Sequence, residues 1–239
     1  MIPDAVIDAC LQAAVVLGLG LAGALHAPRH FRWRWLLAAA GLIVLHDALL
    51  LRLYGLVPEL VAGARWNWTG KWLATLAFLA IAALPMFGWR RSGITLAQAK
   101  GAGLGWLVFA VLAIGLLAAG AYYGDGPADA GTIAYQWTMP GIEEELFYRG
   151  VLLLALNEAF RARWRVLGIE IGWGGVLSCV AFGLIHAMAY RDGAVSFEWG
   201  AFLVTGVPAV VLLWLRERTG SLLAPVLAHN VVNGAFVIF

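Results

Sequence analysis

The 239-residue chain is short of charge: Asp, Glu, Lys and Arg make up 13% of it, apolar side chains make up 62%, and the mean hydropathy is +0.84. A water-soluble domain carries roughly a quarter charged residues, so this density excludes a molecule bathed in water on all sides. The net charge is only +2 and no long basic run occurs, which excludes a nucleic-acid partner. Cysteine is scarce: Cys10 and Cys179 each lie in an apolar stretch, which excludes a disulfide framework or a metal knuckle and leaves two small packing residues. A basic leader is missing too, since Asp4 and Asp8 stand where a cleavable signal peptide would carry Lys or Arg. No internal repeat, low-complexity tract or segment long enough for a separate soluble domain intervenes. Residues 1–239 therefore read as a single integral-membrane domain, with its polar core at about 131–238.

What the chain does have is long apolar runs. About 20 apolar residues are needed for a helix to cross roughly 30 Å of hydrocarbon. Segments at about 8–26, 35–54, 69–88, 103–123, 131–158, 170–190, 197–215 and 221–238 meet or approach that requirement. They predict an all-α, polytopic transmembrane bundle of about eight spans. Trp33, Trp35, Trp66, Trp68, Trp89, Trp137, Trp199 and Trp214 fall near the predicted ends, where amphipathic rings anchor at the headgroups. Eleven of the 16 basic residues occupy alternate connections: Arg29, Arg32 and Arg34; Arg90, Arg91 and Lys100; Arg161, Arg163 and Arg165; Arg216 and Arg218. The positive-inside rule assigns these connections to the cytoplasm. The other connections hold Asp4, Asp8, Glu59, Asp125, Asp129, Asp192 and Glu198, with Arg52, Arg65, Lys71 and Arg191 as their basic residues. Both termini are thus expected outside.

Ionisable groups are costly in hydrocarbon and mark functional positions. Four clusters break the apolar pattern. Glu143, Glu144 and Glu145 precede Arg149 in an otherwise apolar segment. Glu145 and Arg149, spaced i, i+4, can pair on one face, which leaves Glu144 about 100° round the helix and free for another purpose. Pro140 suits a first helical position, so a helix start is expected just before the acids, placing them where the helix dipole favours negative charge. The bland alternative is an ion pair that only stiffens the bundle. Phe182 and His186 share a face of the sixth span, and the alternative for His186 is a core histidine bonded to a backbone carbonyl. His229 and Asn233 point the same way from the last span, as a pair aimed at a ligand or as helix–helix glue. His46 and Asp47, adjacent on the second span, diverge around a helix and read as structural.

Taken in order, Glu-Glu-x-x-x-Arg (144–149), Phe-x-x-x-His (182–186) and His-x-x-x-Asn (229–233) on three membrane helices resemble the CAAX prenyl protease and bacteriocin-processing (CPBP, or ABI) family of intramembrane proteases. The resemblance implies that Glu144 is the base that activates water and that His186 holds this water. Glu145 and Arg149 would position it, His229 and Asn233 would form the oxyanion hole, and Phe182 would pack the site. Such roles suit amide hydrolysis, which needs a base near a water and donors aimed at the developing oxyanion. Glu143 lies outside the motif and is given no catalytic role. The expected enzyme is a metal-free glutamic protease, since the His-Glu-x-x-His helix of zincins is missing. A His₂Glu zinc set of Glu144, His186 and His229 is the alternative.

Counting along the spans puts the constellation at mid-depth to outer depth. The expected activity is cleavage near a membrane-embedded C-terminal segment of exported proteins, by a multi-pass protein of a bacterial inner membrane. Its partners would be lipid and that apolar segment. Alternatives are bacteriocin maturation or self-immunity, a non-enzymatic peptide- or lipid-binding protein, and a proton relay through Glu144, Glu145 and His186.

Overall fold

The structure, a computed structural model, describes residues 4–26, 28 and 31–239. Arg29 and the side chain of Asp4, both used in the charge pattern above, lie outside what is described. Helix α1 spans Asp4–His26 and α2 spans Trp33–Asp47; α2 continues through a π turn, Ala48–Arg52, and a 3₁₀ turn, Leu53–Leu56. Then come α3 (Trp68–Ala83), α4 (Gly103–Tyr123) and α5 (Ala130–Gln136). The central helix is α6 (Met139–Glu145), a π segment (Leu146–Leu152) and α7 (Leu153–Ala159) in unbroken succession. A small hairpin, β1 (Trp164–Val166) with β2 (Ile169–Ile171), precedes α8 (Trp173–Ala187). A second hairpin, β3 (Met188–Arg191) with β4 (Ala194–Phe197), leads into α9 (Trp199–Thr219) and α10 (Leu223–Gly234).

Local sequence explains the boundaries. Asn67 caps α3 by accepting from Gly70 N, and Asp129 caps α5 by accepting from Thr132 N. Pro140 sits in the first turn of α6 after a non-helical Thr138, as expected from the sequence. The acids begin one turn further in, so the helix start does not hold them directly. Both hairpins turn on two residues with positive φ, Leu167–Gly168 and Asp192–Gly193, the geometry that matches strand twist. These hairpins take up residues expected at the ends of helices.

The protein is a mostly helical membrane bundle. Among the described residues four helices, Val6–Leu25, Trp33–Leu56, Gly103–Tyr123 and Trp199–Thr219, are long and apolar enough to cross a membrane by length and composition. The apolar helices α3 and α8 are shorter, with 16 and 15 residues, or about 23 Å of rise. The segment expected over 131–158 is divided at Thr138, and α10 has 12 residues. Leu107, Val111 and Ile114 on α4 and Val204 and Val207 on α9 are exposed, as befits helices whose outer face meets lipid.

The central helix is the core. Phe147, Val151, Leu152, Ala155, Leu156 and Ala159 are fully buried, against Leu36, Ala39, Phe78 and Leu177 of α2, α3 and α8. Gly141 lets α6 approach α10: an added Cβ would lie 2.4 Å from Asn230 Oδ1 and 2.6 Å from Val226 O. All four basic connections meet at one end of the bundle. Glu158 binds Arg32 (3.1 Å), Arg91 (2.7 Å) and Arg161 (2.7 Å), and Arg216 donates to Arg91 O.

Candidate active site

Consecutive helical residues point about 100° apart, so three adjacent glutamates must face three neighbourhoods. Glu143 faces α2 and α3. One of its oxygens accepts from His46 Nε2 at 2.7 Å and the other from Lys71 Nζ at 2.7 Å. Glu145 faces α10 and its own next turn. Its Oε1 accepts from both Arg149 Nη1 (3.0 Å) and His229 Nδ1 (2.7 Å). Glu144 lies between them. Lys71 Nζ donates to its Oε1 at 2.6 Å, while its Oε2 stands 3.6 Å from His229 Nε2 and has no hydrogen bond among the described residues. The side chains of Glu143 and Glu145 are wholly buried, whereas that of Glu144 is 15% exposed. Glu144 and Glu145 each keep one buried oxygen, Oε2, without a hydrogen bond among the described residues, and of the three acids Glu144 alone has a partly exposed side chain.

The histidines are held in definite orientations. A carbonyl only accepts, so the 2.8 Å contact between His186 Nδ1 and Phe182 O makes Nδ1 the donor. Nε2 of this exposed ring is left available at the last turn of α8. By the same reasoning His229 donates through Nδ1 to the Glu145 carboxylate and turns Nε2 towards Glu144. Phe182 packs among these groups. Its ring lies 4.8 Å from that of His186, 5.9 Å from that of His229 and 5.0 Å from that of Tyr148, and the Arg149 guanidinium stands 4.4 Å from its centroid. Arg149 also donates to Ala209 O of α9.

Of the residues singled out from sequence, Glu144, Glu145, Arg149, Phe182, His186 and His229 are thus brought together. Asn233 is half-buried one turn beyond His229 and makes no hydrogen bond among the described residues. Its neighbour Asn230 is the engaged amide: Oδ1 accepts from Gly141 N at 2.9 Å, joining α10 to the start of α6.

One sequence expectation needs correction. Glu144 is not free of partners, because Lys71 holds it. His46 and Asp47 diverge as expected: His46 binds Glu143, and Asp47 accepts from Arg52 Nε. The sequence reading missed Lys71, His46, Glu143 and Asn230. For Lys71 a signal existed, since a lysine four residues into an apolar helix is an intramembrane charge; it was counted instead with the outer connections. Among the described residues no three His, Cys, Asp or Glu side chains are grouped as a bound metal would need.

A family model described as type II CAAX prenyl endopeptidase Rce1-like matches residues 126–235. Searches of curated proteins and of solved structures gave no match to the chain. The matched stretch carries Glu144, Glu145, Arg149, Phe182, His186, His229 and Asn233, and over that stretch the chain is similar to the Rce1-like type II CAAX prenyl endopeptidases.

Proposed function

We propose that the protein is a glutamic intramembrane protease that cuts exported proteins near a membrane-embedded, apolar C-terminal segment. The observation that carries this reading is Glu144, the one acid of the three with a partly exposed side chain, whose Oε2 makes no hydrogen bond among the described residues and stands 3.6 Å from His229 Nε2. In the reaction Glu144 Oε2 takes a proton from water, with His186 Nε2 steadying that water. The water oxygen bonds to the carbonyl carbon, and the carbonyl electron pair moves onto oxygen. His229 through Nε2, in its protonated form, and the Asn233 amide donate to that oxyanion. The proton held on Glu144 then passes to the departing amine as the C–N bond breaks. No step runs through a metal.

Two features support the substrate class. An apolar cleft of about 480 Å³ runs from Thr75 and Leu79 of α3, Ile142 and Leu146 of the central helix and Val226 of α10 towards Ile94 and Leu96 of the basic connection before α4. It begins one turn from Lys71 and beside the acids, and suits an apolar peptide segment. Lys71, Glu144 and His186 each lie within six residues of a helix end remote from the basic connections, or about 9 Å of rise. If those connections are cytoplasmic, the site opens outward. A relay reading fits less well. The hydrogen-bonded chain from His46 through Glu143 and Lys71 stops at Glu144, whose Oε2 stands 3.6 Å from His229 Nε2. At its other end it stops on a buried ring.

The test is mass spectrometry of the C-termini of exported proteins from cells carrying the wild type or Glu144→Gln. Loss of defined truncated termini in the variant, with the helical fold intact, is the expected result. Undiminished truncation would remove Glu144 as the base, and no difference between wild-type and gene-deleted cells would remove the substrate class.

A further inference from the structure

Lys71 and His46 come from α3 and α2, upstream of the segment matched by the family, yet Lys71 reaches Glu143 and Glu144 and His46 reaches Glu143. Lys71 Nζ lies 2.7 Å from Glu143 Oε2 and 2.6 Å from Glu144 Oε1, with 7% of its side chain exposed. Charge neutralisation alone would need one acid. Here the ammonium commits two of its donors to two adjacent carboxylates, and that fixes Nζ in space. The first carboxylate is itself immobile, because its other oxygen is held by His46 Nε2. The His46 ring is locked in turn by stacking on Phe147, with centroids 4.0 Å apart and planes 2° from parallel. A chain of constraints thus runs from the packed core to a single oxygen of Glu144. Glu143 has both oxygens spent and no access to solvent, so it can anchor but not act on water.

We propose that Lys71 is a positioning residue of the active site, held by Glu143 and His46, which pins Glu144 through Oε1 so that Oε2 is the oxygen presented to the reacting water. This rests on the reading of Glu144 as base. It explains why three acids stand in a row: one anchors the lysine, one reacts, and one orients His229. It also gives the first half of the chain a part in the chemistry. Fixing a reacting group in advance is a large source of rate, and a displacement of about 1 Å costs on the order of 10²-fold.

The experiment uses the full chain reconstituted in liposomes, with a synthetic peptide spanning the cleaved C-terminal segment found in the comparison of exported proteins. Rates are normalised to folded protein. Lys71→Met is expected to lower kcat by about 10²-fold while KM changes by less than about threefold, and Lys71→Arg, which keeps the charge and the donors, should recover most of the loss. Because Lys71→Met strands two buried acids, Lys71→Met/Glu143→Gln is measured beside it. This pair restores charge balance at the anchor, and should fold like wild type yet keep the kcat defect. A double variant with wild-type kcat overturns the proposal, as does an unchanged kcat per folded molecule in Lys71→Met. Glu144→Gln runs in parallel. If it is dead while the lysine variants turn over normally, only the positioning role falls. If it is active, the base assignment falls with it.

Discussion

Each of the three consecutive glutamates meets a different environment, and the differences set what each can do. Glu145 is wholly buried and answers to Arg149 and His229. Removing one partner of a buried pair leaves an uncompensated charge, at a cost of about 3–5 kcal/mol. Arg149→Met is therefore expected to lower the thermal unfolding midpoint in detergent sharply; a normal midpoint would mean that Glu145 finds another counter-charge. Asn233 should behave in the opposite way. It makes no hydrogen bond among the described residues, so Asn233→Ala should leave the midpoint unchanged. If the amide meets the oxyanion only in the transition state, the same change should cost roughly 10²–10³ in kcat. Calorimetry and steady-state kinetics on one preparation separate the two, and a variant with full kcat would remove Asn233 from the oxyanion hole.

At the scale of helices, the close approach of α6 to α10 is what brings acids and imidazole together, and Gly141 permits it. In Gly141→Ala the new Cβ would fall 2.4 Å from Asn230 Oδ1 and 2.6 Å from a backbone carbonyl, so the helices must part. A loss of about 1–3 kcal/mol of stability is expected, with a loss of activity because His229 moves away from Glu144. Gly41→Ala on α2, where nothing lies within 4 Å, serves as the control and should be neutral or slightly stabilising. Equal activity in the two variants would show that the α6–α10 spacing does not matter. Legibility in the sequence followed the same division. Helix α4 has the bounds expected from its apolar run because it stands at the edge and little besides lipid shapes it. The i, i+4 pair Glu145–Arg149 and the break before Pro140 were readable because they are local. Strands β3 and β4 were not, since Met188, Ala189 and Tyr190 extend the apolar run of α8, although Asp192–Gly193 is a two-residue hairpin signal. Lys71 was invisible as a partner for a different reason. It lies 73 positions from Glu144, and no periodicity within one helix encodes a contact between three.

Over the whole molecule, charge sorts to one end. Arg32, Arg91 and Arg161 come from three different connections and share Glu158, and Arg216 from the fourth donates to Arg91 O. The candidate site lies towards the opposite helix ends, so the side of the membrane on which these arginines stand decides which compartment supplies the substrate. With arginines on the cytoplasmic face, the site serves exported proteins; with the reverse orientation, it serves cytosolic ones. The chain is well suited to a labelling test because it has only two cysteines, one exposed (Cys10) and one buried (Cys179). In a Cys10→Ser, Cys179→Ala background, single cysteines at Glu59, Asp125 or Glu198 should react with a membrane-impermeant maleimide on intact spheroplasts. Cysteines at Arg34, Lys100 or Arg165 should react only after the membrane is opened. The opposite pattern would turn the site towards the cytoplasm and exclude exported C-terminal segments as its substrate. The arrangement around Glu144 would be left untouched, because it depends on the packing of four helices and not on which way they face.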